Sequence, residues 1–253
     1  MDMNKFQKIG EEKKISSPFS PCSDGAYQSR DRIKNMISII TVDFYGKQFR
    51  EIIEDSILKT TEGDFEFLIQ DNAENNIGHG AGLDKLVKKA KGKYIMALDI
   101  DSHILLKGWD RKLIEHYEQR KEQGVRLIAG EGGQLKPIRP CVAFFEKDYF
   151  LKNNLSFEPR NLDGAKFDVG IHLFFNVLSL GGKVEYFKYQ KSTYTDVIGN
   201  NYKFKEEPFV FHHWYGTRWY DSKGNRNKDK VDKITWDKFS RSKERLIKQY
   251  YGN

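Results

Sequence analysis

Tyr94–Ile95–Met96–Ala97–Leu98–Asp99–Ile100–Asp101 is the stretch on which the fold turns. A short apolar run that stops abruptly in acidic residues reads as a buried strand with carboxylates just past its end. Working upstream, Asn76 to Gly82 forms a glycine-containing loop, and Leu83, Leu86, Val87 and Ala90 follow at helical spacing. Before that loop, Phe65–Glu66–Phe67–Leu68–Ile69 reads as a second strand, ending at Asp71–Asn72. Ile37 to Val42 is β-branched and mostly apolar and reads as a third, ending at Asp43. Between those two strands, Phe49, Ile52, Ile53 and Ile57 make a helical stripe. Downstream, Trp109, Leu113 and Tyr117 mark another helix, and Val125 to Ala129 another strand.

Strand–helix alternation of this kind predicts an α/β fold: a mostly parallel sheet with helices on both faces. Ligands of such sheets lie beyond the carboxyl ends of the strands, and Asp43, Asp71, Asp99 and Asp101 all fall there. The second half is more mixed. Pro140 to Phe145 reads as a strand, Asp168 to Leu180 as a helix stopped by Gly181–Gly182, and Val184 to Lys188 as a short strand. Phe209 to His213 reads as a strand or a loop. Residues 1–35 lack a sustained period and read as a weakly ordered leader; 36–220 form the main domain. Residues 221–253 form a basic helical tail with Trp236, Phe239, Leu246, Ile247 and Tyr250 on its apolar side.

Composition sets outer limits. The 253 residues are 38% hydrophobic and 31% charged, which suits a packed core and excludes wholesale disorder. Cys22 and Cys141 lie far apart without a CxxC partner, so neither a disulfide framework nor a zinc knuckle is expected. The net charge is +7, yet residues 221–253 carry seven Lys and three Arg against four Asp and one Glu. The main domain is therefore close to neutral, which argues against a nucleic-acid groove, and no nucleic acid is expected as a partner. The tail suits an anionic membrane surface, or is simply a solvated face packed on the domain. The sequence has neither a long apolar run nor an apolar N-terminal stretch, so the expectation is a cytoplasmic protein, with the tail as a route to peripheral membrane contact.

The segment Asn75 to Asp101 has a glycine loop, a helix ending in Ala90–Lys91–Gly92–Lys93–Tyr94, and an apolar strand running into Asp-x-Asp. It resembles the GT-A glycosyltransferases, those like family 2 in particular, and the resemblance extends over residues 36–215. It implies a GT-A type domain that moves a sugar from a nucleotide-diphosphate donor, a UDP- or GDP-sugar, to an acceptor hydroxyl. It also implies Mn²⁺ or Mg²⁺, since a hard cation bridges the diphosphate and takes up the charge of the leaving group. By resemblance Asp101 is a metal ligand and Asp99 faces the metal or the ribose. Asp71 stands where the family contacts the nucleotide base, and Asp43 could do the same. Lys85 and Lys88 are candidate basic contacts. Asp168, ahead of the helix that ends at Gly181, matches the family's general base, although the usual Glu-Asp doublet is missing; Asp163 is the alternative. That match implies inversion at the anomeric carbon.

Many GT-A enzymes add a late histidine to the metal, and His212–His213–Trp214–Tyr215–Gly216–Thr217–Arg218 supplies two candidates. His213 is preferred over His212, with Arg218 as a forked diphosphate donor and Trp214 and Trp219 as stacking surfaces. The acceptor, whether glycan, lipid or protein, is not legible. A nucleotidyltransferase has a similar sheet, but its glycine-rich phosphate loop would follow the first strand, where Asp43–Phe44–Tyr45–Gly46–Lys47 stands instead. A non-catalytic nucleotide or nucleic-acid binder is the other alternative.

Overall fold

The structure is a computed structural model. It describes residues 15–16, 35–44, 47–73, 75–133, 136–159, 161–162, 165–166, 168–191 and 199–213, with 226, 228, 233 and 237. The leader and tail expected at 1–35 and 221–253 therefore lie almost wholly outside the described residues, as do Asp163, Trp214, Arg218 and Trp219.

Three strands form the parallel heart: β2 (Ile37–Asp43), β3 (Phe65–Asp71) and β4 (Tyr94–Leu98), after a short β1 (Ile15–Ser16) that pairs antiparallel with β3. β2 pairs with β3 on one side and β4 on the other, both parallel. Helices α1 (Lys47–Thr60) and α2 (His79–Lys89) make the crossovers. Strand alternation sorts the core into two layers. Ile37, Ile39, Tyr94, Met96 and Leu98 face Phe49, Ile53 and Ile57 of α1. Ile40, Val42, Ile95 and Ala97 face Leu83, Leu86 and Val87 of α2. Every one of these side chains is buried, and burial of each large aliphatic group contributes about 1.5–3 kcal/mol.

After β4 come β5 (Ser102–Ile104), α3 (Trp109–Lys121), β6 (Val125–Gly133), β7 (Lys136–Glu146) and α4 (Lys147–Lys152). A small antiparallel pair, β8 (Asn161–Leu162) and β9 (Ala165–Lys166), precedes α5 (Ile171–Ser179), β10 (Lys183–Lys191), β11 (Asn200–Phe204) and β12 (Glu207–His212). The main sheet has ten strands in the order β1-β3-β2-β4-β7-β6-β10-β11-β12-β5. Helices cover both of its faces, as expected, but the sheet is mixed rather than mostly parallel. Only β2–β3, β2–β4 and β6–β10 pair in parallel; the other six pairings are antiparallel. The reason is connection length. A parallel crossover needs roughly a dozen residues or more. Only two residues separate β6 from β7 and two separate β11 from β12, so each pair closes as a hairpin.

The strand order also dictates a curl. β4 is fourth in the sheet and β5 is tenth, yet only Asp99–Ile100–Asp101 joins them. Three residues span about 10 Å at most. The far edge of the sheet must therefore come back to the end of β4. No helix among the described residues is long and apolar enough to cross a membrane.

Candidate functional site

The curl builds the site. Asp99 leaves β4 with its N–H donating to the Cys141 carbonyl of β7 (3.1 Å), and its own carbonyl accepts from Ser102 N–H (2.9 Å) in a tight turn. Asp101 lies between that turn and β5, with its carbonyl accepting from His213 N–H at 2.9 Å. β5 then pairs antiparallel with β12, placing Ser102 opposite His212. The acidic pair from the middle of the sheet and His212 from β12, beside its far edge, thus meet by backbone pairing.

Among the described residues, Asp99, Asp101 and His212 form the cluster able to hold a metal ion, with their ligand atoms within 4.8 Å of one another. His212 Nε2 lies 3.2 Å from Asp101 Oδ1 and 3.4 Å from Asp99 Oδ2. Neighbouring ligands on one small cation, bonded at about 2.1 Å, lie ~3 Å apart, so the two carboxylates and the imidazole fit a divalent cation in spacing. The electrostatics fit too. Burial works against a charged His212, but Cys141, Asp101 and Asp99 outweigh it and push its pKa well above the ordinary imidazole value. Burial likewise works against an ionised Asp99, but the hydrogen bond from His212 and the nearby His79 hold its pKa below the ordinary carboxylate range. Negative charge in this pocket calls for a cation, whether a proton on His212 or a metal in its place.

His213, the preferred histidine from sequence, lies elsewhere. It is fully buried, its ring 4.8 Å from Phe211, 4.6 Å from His103 and 5.5 Å from Phe49. Strand alternation explains the exchange: His213 shares a face with Phe211 and points into the aromatic core, while His212 points the other way.

Asp43 and Asp71 sit side by side at the ends of β2 and β3, in register. Arg50, on the first turns of α1, joins them. Its Nε donates to Asp43 Oδ2 (3.0 Å), and its Nη2 donates to Asp43 and to Asp71 Oδ2 (3.2 Å). Asp43 is buried and held in this clamp, whereas Asp71 is 53% exposed and caps its own turn by accepting from Ala73 N–H at 2.9 Å. Asp71 is thus the more available of the two. Lys85, offered as a basic contact, donates instead to Gln70 Oε1 at 2.7 Å.

Asp168 is exposed, in the turn before α5, with Oδ1 accepting from Val169 N–H at 2.9 Å. The helix opens three residues later than expected, and its N-cap is Gly170, so Asp168 is not the cap. Gly170, two residues on, packs against β7. Gly170 N–H donates to the Phe157 carbonyl (2.9 Å), and a Cβ on Gly170 would meet Pro140 at 2.6 Å. Pro140 is chain neighbour to Cys141, the residue that anchors Asp99.

Arg50 has no role in the sequence analysis, and His79 enters it only as part of the glycine loop, read as able to approach the nucleotide. His79 Nε2 lies 3.5 Å from Asp99 Oδ1. Arg50 stands seven residues after Asp43 and His79 directly after Gly78, and the local sequence states the target of neither.

The chain matches no family model. Over 167 residues it is 28% identical to an uncharacterized glycosyltransferase of Methanocaldococcus jannaschii, covering 53% of this chain and 57% of that protein. The chain is similar to a glycosyltransferase. It spans only somewhat more than half the length of that curated relative. Among solved structures, S. aureus TarS 1–349 aligns with a TM-score of 0.45 and 10% identity over 73% of this chain and 62% of that chain. The same fragment in complex with UDP-GlcNAc aligns at 0.43 with 12% identity, over 69% and 57%.

Proposed function

We propose that this chain is a GT-A type glycosyltransferase, moving a sugar from a nucleotide-diphosphate donor to an acceptor hydroxyl with the help of Mn²⁺ or Mg²⁺. The observation that carries the reading is the Asp99–Asp101–His212 cluster, formed where the end of β4 meets the returning edge of the sheet. The glycosyltransferase relative of M. jannaschii supports the class of reaction. Asp101 and His212, with Asp99, would hold the cation. When bound, it would supply positive charge to the diphosphate as that group departs. Asp71 is the base-contacting candidate, with Asp43 behind it in the Arg50 clamp. Arg218, which lies outside the described residues, is proposed as a forked donor to the diphosphate.

The acceptor hydroxyl oxygen attacks the anomeric carbon, and the bond from that carbon to the phosphate oxygen breaks. The electron pair of that bond leaves with the nucleoside diphosphate, and Asp168 takes the acceptor proton. A single displacement of this kind inverts the anomeric configuration. The acceptor is a glycan, a lipid or a protein, and contact with an anionic membrane through residues 221–253 belongs to the same proposal.

The test is a panel of UDP- and GDP-sugars with Mn²⁺ or Mg²⁺, following release of free nucleoside diphosphate. Metal-dependent release from one donor, lost in Asp101→Asn, is the expected result. Release that is equal in Asp101→Asn, or absent across the whole panel, overturns the reading.

A further inference from the structure

Asp99 is bracketed by two imidazoles, one on each oxygen. His212 Nε2 faces Oδ2 at 3.4 Å, and His79 Nε2 faces Oδ1 at 3.5 Å. His212 comes from the far edge of the sheet, whereas His79 is the first residue of α2 and makes no part of the ligand cluster. The His79 nitrogen is buried and makes no close hydrogen bond, so Asp99 is the polar group it faces.

The position of His79 is set by its neighbours. Gly78 takes φ +89, a left-handed conformation that glycine adopts freely, and this turns the chain into the helix. Gly78 N–H donates to Asn76 Oδ1 (2.8 Å), and its carbonyl accepts from Asn72 Nδ2 (3.2 Å). Gly80 lies against the backbone of Phe157 and Glu158, where a Cβ would come within 2.7–2.9 Å. The His79 ring meets Phe44 edge-on at 6.1 Å. The first turn of α2 is thus tied down on three sides, with the imidazole directed to the carboxylate.

We infer that His79 is a positioning residue, which holds the partly exposed Asp99 carboxylate by Oδ1 so that Oδ2 stays turned toward Asp101 and His212. The inference rests on the metal-site reading above. A carboxylate past a strand end has two free torsions, and a donor on one oxygen removes much of that freedom before the cation arrives. Groups that hold metal ligands in this way commonly change affinity by about 10–100-fold when removed.

The test measures Mn²⁺ binding to the full chain without nucleotide, by electron paramagnetic resonance or calorimetry. His79→Phe keeps the ring against Phe44 and removes the donor; His79→Gln restores an N–H at similar reach. The expected result is Mn²⁺ affinity weakened about tenfold or more in His79→Phe and recovered to within about threefold in His79→Gln. Wild-type affinity in His79→Phe, with a normal melting curve, overturns the inference while leaving the metal site standing. Weakened UDP or GDP binding with unchanged Mn²⁺ affinity also overturns it, since His79 would then serve the phosphates. Should His79→Phe fail to fold, His79→Gln and His79→Asn decide alone: equal affinity in both would remove the dependence on reach that positioning requires. Failure of the wild-type protein to bind Mn²⁺ overturns the site and the inference together.

Discussion

Asp101→Asn removes one charge from the candidate metal site and almost nothing from its shape. Asp101 is buried, with Oδ1 3.2 Å from His212 Nε2. Without metal the substitution weakens one charge-assisted contact, a cost of about 1.5–3 kcal/mol at most, because His212 can release its proton once a carboxylate is gone. With metal the loss is separate and additional. At a free Mn²⁺ concentration of 100 times Kd, the wild-type fold gains about 2.7 kcal/mol from binding. For a chain of this size each kcal/mol moves Tm by about 2–4 °C, so Mn²⁺ should raise the wild-type Tm by roughly 5–10 °C. Thermal melting with and without Mn²⁺, with Ca²⁺-free buffer and a chelator control, reads both quantities. Asp101→Asn should melt a few degrees lower without metal and show almost no Mn²⁺ increment. An undiminished increment in that variant would refute the reasoning, because it would place the cation elsewhere.

Asp168→Asn should lower turnover by ~100-fold or more, while the Mn²⁺ increment, nucleotide affinity and Tm stay near wild type, since the residue is exposed and caps no helix; steady-state kinetics beside melting would show a purely structural role as lost stability at normal specific activity. Arg50→Ala leaves the buried Asp43 carboxylate without its guanidinium, at a cost of about 3–5 kcal/mol in urea unfolding; a loss below ~1 kcal/mol, or no recovery on adding Asp43→Asn, would count against the clamp. Mn²⁺ must displace the proton that the metal-free site keeps on His212, whose pKa is raised well above 6.5, so affinity should fall about tenfold per pH unit below that raised value and lose this slope in His212→Asn. The same shift means that the metal-free fold gains from the imidazolium below the unfolded pKa and loses that gain as pH rises through the raised one, so without Mn²⁺ stability should decline on the alkaline side.

How much of this was legible depends on where the decisive information sits. β2, β3, β4, α1 and α2 were readable because each carries a strong local signal: a mostly apolar run, or a stripe at helical spacing. Strand direction was not readable from such signals. The Cys141–Phe145 part of β7 is as apolar as β4, and the two-residue gap after β6 is what makes β7 antiparallel to β6. β5 was missed because Ser102–His103–Ile104 is short and mostly polar, although all three residues are buried. β11 does alternate, with Asn200, Tyr202 and Phe204 buried, but asparagine and lysine are weak strand formers and mask the period. The choice between His212 and His213 was within reach. Reading Phe209, Phe211 and His213 as one face of a strand assigns that face to the core and leaves His212 for the acids. Arg50 and His79 were not within reach, because their targets are fixed by packing between elements.

The site joins chain segments that no single element holds together, and this gives a last prediction. Asp99 and Asp101 belong to the middle of the sheet, through β4 and the Asp99 N–H to Cys141 carbonyl bond. His212 belongs to β12, which pairs with β11 on one side and with the short edge strand β5 on the other. A short edge pairing such as β5–β12 opens more readily than the pairings of central strands. A cation bound to all three side chains must be released before β12 can separate from β5, so binding should slow that opening by about the ratio of free metal to Kd, ~100-fold at 100 times Kd. The amides that report it are Leu105, which donates to the Phe209 carbonyl at 2.7 Å, and His213, which donates to the Asp101 carbonyl at 2.9 Å. In native-state hydrogen exchange these two should slow strongly with Mn²⁺, while amides of β2 such as Ile39 and Ile40 change only as far as global stability does. Asp101→Asn should erase the difference. Equal slowing of β2 and β12 would mean that the metal acts on the fold as a whole; slowing of β2 alone would move the site away from the β5–β12 edge.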